Sequence, residues 1–322
     1  MGEQGTLLRQ PRRLGSRKMV ENTNVQSRTW KRWVAFLLFW ASSLIPFYGT
    51  LRALITLSLR DDRYTYIVVI PLISAVLIYL GRDRISRESR TCYPVALPAL
   101  LFGLALFWIA EKQSTIGRDV GFCIEVFGIF LVWLAGFVLF HGLRSLRLAI
   151  FPVCFLVLIT PLPAVFLDQV VLALQKGSAE ISFVLFKLAG VPVFRQGLTF
   201  SLPGVDISVA EQCSGIRSSA SLLIASMLMG HVLLRSGWSR IWLTLFTIPV
   251  VIFKNAVRIV TISWLGIYVN ADFFHGRLHH QGGLPFSLLA LAIMGSMLFV
   301  LHRAEVSRRE DFVLEALGKT QP

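Results

Sequence analysis

Acidic residues are scarce in this chain: 18 Asp and Glu stand against 32 Lys and Arg in 322 residues. Only 16% of the residues are charged, and four are cysteine. Each shortage excludes something. With 55% hydrophobic residues and a mean hydropathy of +0.66, the chain has too little polar side chain to clothe a water-soluble globule. The four cysteines show no CxxC pair and no metal-like spacing, so neither a disulfide framework nor a zinc site is expected, and no cofactor is called for. Cys123 and Cys154 lie in apolar runs, where a thiol behaves as a small hydrophobe. There is no Ser-His-Asp or HExxH pattern, no low-complexity linker and no internal repeat.

What the chain has instead is a series of apolar windows long enough to cross a hydrocarbon core of ~30 Å. They fall at 33–52, 66–80, 95–111, 120–140, 148–166, 216–234, 241–264 and 283–301, which predicts an all-α polytopic membrane protein of about eight helices. The first 32 residues carry eight basic side chains and no apolar core of their own. They read as a disordered cytoplasmic tail ahead of a signal anchor rather than a cleaved leader. Residues 33–302 then form one membrane domain, and 303–322 a second cytoplasmic tail.

The net charge of +14 raises the question of nucleic acid, but its distribution answers it. With the N-terminus inside, the inner loops hold Arg82, Arg84, Arg87 and Arg90, then Arg144 and Arg147, then Arg235 and Arg240. The C-terminal tail adds Arg303, Arg308, Arg309 and Lys319. The positive-inside rule accounts for this pattern, so the expected partner of the positive charge is the lipid bilayer and not nucleic acid.

The same topology puts 167–212 outside the cytoplasm. Leu167 to Leu188 mixes apolar runs with Asp168, Gln175, Glu180 and Lys187, the pattern of an interfacial helix. Gly190 to Gly197 reads as turns. Leu198–Gly204 and Val205–Val209 alternate at period two about Pro203-Gly204, which predicts a small β-hairpin leading into Cys213.

Three segments carry candidate chemistry. In Glu211-Gln-Cys213-Ser-Gly-Ile-Arg217, a thiol precedes the helix that starts near Ile216, where amide dipoles and a guanidinium favour a thiolate. The plainer alternative is a packing cysteine with Arg217 as an interfacial anchor. In Lys254-Asn255-Ala-Val-Arg258, ionisable groups share one face of an apolar helix, a costly arrangement unless they face a partner or cavity. Outward snorkelling is the alternative there. In His275-Gly-Arg-Leu-His279-His280, half of the six histidines fall within six residues. Solvated loop histidines are the alternative, and a metal reading lacks a carboxylate or cysteine at a suitable spacing. Charge-derived topology places Cys213, Arg258 and the histidines on one side. Thiol, imidazole and guanidinium together are the parts of a cysteine acyl-transfer site. An anion transporter or channel, and a non-catalytic assembly factor for surface polymers, are the competing classes.

At these residues the chain resembles the exosortase/archaeosortase family of polytopic membrane cysteine transpeptidases. The likeness rests on Val209-Ala-Glu-Gln-Cys-Ser-Gly-Ile-Arg-Ser218, on Asn255-Ala-Val-Arg258-Ile and on Leu278-His-His-Gln-Gly-Gly283, with Thr160-Pro-Leu-Pro163, Leu172-Ala-Leu-Gln175 and Gly190-Val-Pro-Val193 upstream. The resemblance implies Cys213 as nucleophile and Arg258 as thiolate or oxyanion stabiliser. It implies His279 as general acid/base, because the family's histidine precedes a glycine by four positions; His280 is the fallback. Asn255, Arg217 and Glu211 are supporting candidates, Glu211 as a partner of Arg217 or Lys254. The implied substrates are secreted proteins with a C-terminal sorting tail: a Pro-Glu-Pro-like motif, a transmembrane helix and a basic end. They are passed to an acceptor at the outer face of a bacterial cytoplasmic (inner) membrane. Where the family often has Tyr-Ser-His-Gly-Phe-Leu-Val-Pro, this chain has Tyr64-Thr-Tyr-Ile-Val-Val-Ile-Pro71, which keeps only the ends.

Overall fold

A computed structural model describes residues 29–112, 117–209, 216–270 and 283–318. Its elements are α1 (Thr29–Ser43), α2 (Tyr48–Arg60), a 3-10 turn (Asp62–Val68) running into α3 (Val69–Arg87), α4 (Tyr93–Lys112) and α5 (Arg118–Leu148). After these come α6 (Ile150–Phe155) with a 3-10 turn (Leu156–Ile159), α7 (Ala164–Leu188), and strands β1 (Phe194–Gln196), β2 (Thr199–Leu202) and β3 (Val205–Ser208). The chain finishes with α8 (Ile216–Leu233), α9 (Gly237–Tyr268) and α10 (Gly283–Gly318). The chain is a multi-pass, all-α membrane protein with one small sheet.

The expected count of eight spans is not reached among the described residues. Among them five helices are long and apolar enough to cross a bilayer: Asp62–Arg87, Tyr93–Lys112, Arg118–Leu148, Gly237–Tyr268 and Leu284–Arg309. Two interrupted pairs raise the number to seven if each is one span. The window 33–52 is not a continuous helix, because α1 and α2 meet at 80° across residues 44–47. The window 148–166 stops at Ile159, where Pro161 and Pro163 each lack an amide donor and disfavour helical backbone in the residue before them. The helix expected over 167–188 starts at Ala164 instead. Ser218–Leu233 is apolar but short. At the C-terminus the helix runs on to Gly318, past the boundary drawn at 302.

Contacts divide the chain into two compact units. In the first, Met1–Arg60 with Ile67–Pro161, α4 and α5 approach backbone to backbone. A Cβ on Gly103 would lie 3.0 Å from the Gly128 carbonyl oxygen, and one on Gly128 2.9 Å from that of Gly103. Small residues at such crossings let helices gain dispersion contacts in a solvent that supplies no hydrophobic drive. Polar side chains add ties: Trp133 Nε1 donates to Ser43 Oγ at 3.0 Å, Thr50 Oγ1 to Glu125 Oε2 at 2.8 Å, and Ser145 Oγ to the Ile85 carbonyl at 2.9 Å. Near its end α5 kinks at Gly142, whose φ of +83° suits glycine. The kink brings the His141 carbonyl to the Arg90 amide at 3.0 Å, and leaves no room for a side chain at 142.

The second unit comprises Asp61–Tyr66 and Leu162–Pro322. Here α9 is the central element, packed against α7, α8 and α10. One apolar cluster joins Leu222 of α8, Leu243, Val250 and Val251 of α9, and Ala290 and Met294 of α10. Another seats the sheet on α7 and α9 through Ala179, Phe186, Phe200, Leu202 and Ile259. The expected hairpin is present, with Leu202 opposite Val205 across Pro203-Gly204. Proline at the first corner and Gly204 at φ +79° make a type II turn. The turns expected over 190–197 are a correction: Phe194–Gln196 is a third strand, antiparallel to β2. Three residues are too few for alternation to show in the sequence, and the strand is fastened from its side by Arg195, paired with Glu180 of α7 at 2.9 Å. At the far end of the unit, the Glu305 carboxylate of α10 accepts from the Arg235 and Ser236 amides at 2.9 and 3.0 Å, holding the link between α8 and α9.

Gly142→Ala combines a left-handed backbone with a Cβ 1.7 Å from the Arg90 carbonyl oxygen, so a loss of at least about 2 kcal/mol is expected. Thermal unfolding in detergent measures it against Gly49→Ala, where nothing stands within 4 Å of the new methyl group. Equal melting temperatures for the two variants would contradict the proposed constraint.

Candidate functional site

Lys254, Asn255 and Arg258 lie in the middle of α9, within a helix rich in Val, Ile, Phe, Leu and Trp. Their spacing puts them on adjoining parts of one helical face. The structure turns that face inward: Asn255 is fully buried, Lys254 is 4% exposed, and Arg258 is half-buried. The snorkelling alternative, which concerned Lys254 and Arg258, therefore fails for Lys254. Asn255 Nδ2 donates to Ser178 Oγ on α7 at 3.0 Å, and Lys254 Nζ donates to Ser218 Oγ on α8. The polar stripe thus ties α9 to both flanking helices. A close approach supports the first tie, because a Cβ on Gly177 would lie 3.0 Å from the Ile252 side chain.

The backbone leading to Cys213 is fixed on both sides. Upstream, Val209 is buried, its amide donates to the Leu198 carbonyl at 2.9 Å, and its own carbonyl accepts from Gln175 Nε2 at 2.8 Å. Downstream, α8 begins at Ile216, and its third residue is the Ser218 that Lys254 holds. Cys213 and Glu211 belong to the 210–215 segment between these points and lie outside the described residues, as do His275, His279 and His280. Arg217 is in the first turn of α8, with its side chain outside the described set. Among the site residues expected from sequence, the structure therefore sets Asn255 and Arg258 on the inward face of α9 and Arg217 on the opening turn of α8. Among the described residues no cluster of three or more His, Cys, Asp or Glu has the makings of a metal site.

Four residues that the chemical reading of the sequence did not single out as partners are structural parts of this region: Ser178, Ser218, Gln175 and Tyr64. The serines were legible only as small polar residues in apolar helices, and which of them faces α9 depends on packing. Tyr64 is buried and its hydroxyl donates to the Leu162 carbonyl at 3.2 Å. Beside it Arg63 bonds Asp61 through both Nε and Nη2, the latter at 2.9 Å, and its Nη1 stands 4.0 Å from Asp168 of α7. The Tyr64 segment, which departs from the pattern it resembles, groups by contact with α7–α10 all the same.

The family model of the transmembrane exosortases matches residues 58–296, most of the chain. The chain belongs to the transmembrane exosortase family. No curated protein and no solved structure matches it. The matched range takes in the Tyr64 segment, α7, the sheet, α8, α9 and the start of α10, so the family assignment covers the whole polar stripe and its neighbours.

Asn255→Ala leaves the buried Ser178 hydroxyl without this donor, at an expected cost of about 1–3 kcal/mol. In a double-mutant cycle with Ser178→Ala, additive losses of melting stability would rule out the tie. The Arg63 guanidinium beside Asp61 holds its carboxyl below the usual carboxylate range. That link stabilises the fold above the ordinary carboxylate pKa of about 4 and loses its effect as pH falls through the lowered folded value. Asp61→Asn is expected to flatten the acid limb of a melting-temperature-versus-pH profile; an unchanged limb counts against the link.

Proposed function

We propose that the chain is a cysteine protease and transpeptidase of the membrane. In this reading it removes the C-terminal sorting tail from secreted proteins and hands them to an acceptor at the extracytoplasmic face of the bacterial cytoplasmic membrane. The observation that carries this reading is the inward polar stripe of α9, which bonds the opening turn of the helix that follows Cys213. Ionisable groups in a span are expensive, and a chain keeps them where chemistry or transport needs them. Membership of the exosortase family supports the first of these.

In this mechanism the Cys213 thiolate attacks the carbonyl carbon of the scissile peptide, and the C–O π pair moves onto oxygen. Arg258 stabilises the thiolate before attack and the oxyanion after it. As the tetrahedral species collapses, His279 gives a proton to the departing amine and the C–N bond breaks, leaving a thioester on Cys213. The acceptor nucleophile, or water, then attacks the thioester while His279 takes its proton. Cys213 leaves as thiolate, so the enzyme returns to its starting state. Glu211 and Arg217 orient the loop, and Asn255 fixes the α9 face that presents Arg258.

Co-expression with a tail-bearing reporter tests the reading. Cys213→Ser and Arg258→Ala are expected to abolish tail removal, and His279→Ala to reduce it at least about a hundredfold while His280→Ala does not. Undiminished processing by Cys213→Ser refutes the cysteine enzyme and leaves the transporter or assembly-factor classes. Processing by purified enzyme is expected to fall at acid pH as the thiolate is protonated, and a rate flat from about pH 4 to 9 contradicts the dyad.

A further inference from the structure

The small sheet of the second unit has two edges, and they differ. On β1 only three residues are paired, so Arg195 alone turns its main-chain groups away from β2, and its side chain is held across to Glu180. A short strand and a fixed charge close an edge against further strands. The edge at β3 is left open. The Val209 amide bonds the Leu198 carbonyl, and the register sets Ile207 opposite Phe200 and Val205 opposite Leu202. Bonded pairs alternate along an antiparallel ladder, so Val205, Ile207 and Val209 spend their main-chain groups on β2. The amides and carbonyls of Asp206 and Ser208 therefore face outward, both residues are exposed, and among the described residues nothing bonds those groups. The side chains alternate as well: Val205 and Ile207 lie against the apolar cluster on α7 and α9, while Asp206 and Ser208 project from the other face. The height of the sheet is also defined. Ile259, part of its apolar floor, lies about 33 Å along α9 from Gly237, just beyond the ~30 Å of a hydrocarbon core. With the basic link between α8 and α9 on the inner side, the open edge stands at the outer boundary of the bilayer.

We propose that the outer edge of β3 is the docking strand for the substrate: the extended segment just ahead of the sorting tail's transmembrane helix adds to the sheet as a fourth strand, bonded to the main chain of Asp206 and Ser208. The inference rests on the proposed enzyme reading and names how that enzyme holds its substrate. The occupant is a peptide, because an extended main chain offers donors and acceptors at the alternate spacing of the ladder. It is the substrate because of where the edge lies. A tail anchored by a helix leaves the bilayer at this height, and β3 runs on in sequence toward Cys213, five residues past Ser208. Recognition then falls on the main chain and on alternate side chains. The substrate residue opposite Ile207 is apolar and faces the cluster on α7 and α9; those opposite Asp206 and Ser208 point to water. The edge supplies binding and register, and takes no part in the bond-breaking steps.

The test measures binding, by fluorescence anisotropy, of a labelled peptide to full-length Cys213→Ser protein in lipid nanodiscs. The peptide copies the segment just ahead of the transmembrane helix in the tail-bearing reporter, and a series carries one N-methyl group on each amide in turn. Methylating an amide that bonds the edge is expected to weaken binding about tenfold, its two neighbours to stay within about twofold, and the next amide again to weaken it about tenfold. A peptide held by side chains alone has no such two-residue alternation. Ser208→Pro deletes one outward amide and no bond to β2. It is expected to weaken binding about tenfold and, with Cys213 restored, to raise KM by the same factor while kcat stays within about threefold. A methylation series without alternation, the absence of saturable binding, or unchanged affinity in Ser208→Pro overturns the proposal. So does a dimer that Ser208→Pro converts to monomer at unchanged peptide affinity, which assigns the edge to a second copy. The peptide series alters nothing in the sheet, so it remains decisive if the proline variant does not fold. Tail removal separates the two ideas. If Cys213→Ser still processes the reporter, the enzyme reading fails whatever the peptides do. If Cys213→Ser is inactive and the series shows no alternation, only the docking edge fails.

Discussion

Within hydrocarbon a polar group must find its partner inside the protein, and in this chain that constraint converges on α9. Water is absent to take up a stray donor, so the burial of Lys254 and Asn255 is tenable only because α7 and α8 each offer a serine hydroxyl at the right height. The same two bonds decide which faces of α7 and α8 turn toward α9. They also settle where the sheet sits, since α7 and α9 together provide its apolar floor at Ala179, Phe186 and Ile259. Remove the stripe and three helices would still attract one another, but nothing would choose their rotation. Apolar contacts supply the cohesion of this unit and the polar ones its register.

Much of this could be read along the chain, and the boundary of legibility is physical. Hydropathy locates helices well, because the bilayer imposes a length on anything that crosses it. It locates breaks poorly. Residues 33–52 are mostly apolar, yet α1 and α2 turn through 80° within them, with the Leu44 and Ile45 amides bonded to the Ala41 and Ser42 carbonyls at the break. Pro161 and Pro163 were visible as residues but not as the end of a helix, since prolines also occur inside spans: Pro98 stands within α4 and Pro249 within α9. The strand β1 escaped notice because a three-residue segment has no period.

The candidate site divides along a similar line. That Lys254, Asn255 and Arg258 share a face follows from 3.6 residues per turn, and that the face points inward follows from the expense of exposing it to lipid. What sequence could not supply was the other half of each bond. Ser178 and Ser218 lie among many small polar residues, and nothing local distinguishes them from Ser182 or Ser221. Tyr64 shows the opposite case. Its motif looked degraded by comparison with the family's usual pattern, yet the tyrosine retains a structural task, holding the Leu162 carbonyl where the chain enters α7. A motif can lose its middle and keep the residue that does the fastening.

The three-residue link between α8 and α9, clasped by Glu305, acts as the zero mark of a ruler. From Leu233 back to Ser218 is about 22 Å of helix at 1.5 Å per residue, and from Gly237 forward to Lys254 about 26 Å. The two rails run back together, so the clasp at one end brings the serine and the lysine level at the other. Beyond that mark α9 continues for about 21 Å with no matching rail in α8, and Arg258 stands on its first turn. The height of the guanidinium relative to the opening of α8 is therefore decided at the far end of the hairpin. A residue inserted next to Glu305's partners would move it by a step of helix without replacing any residue of the polar stripe.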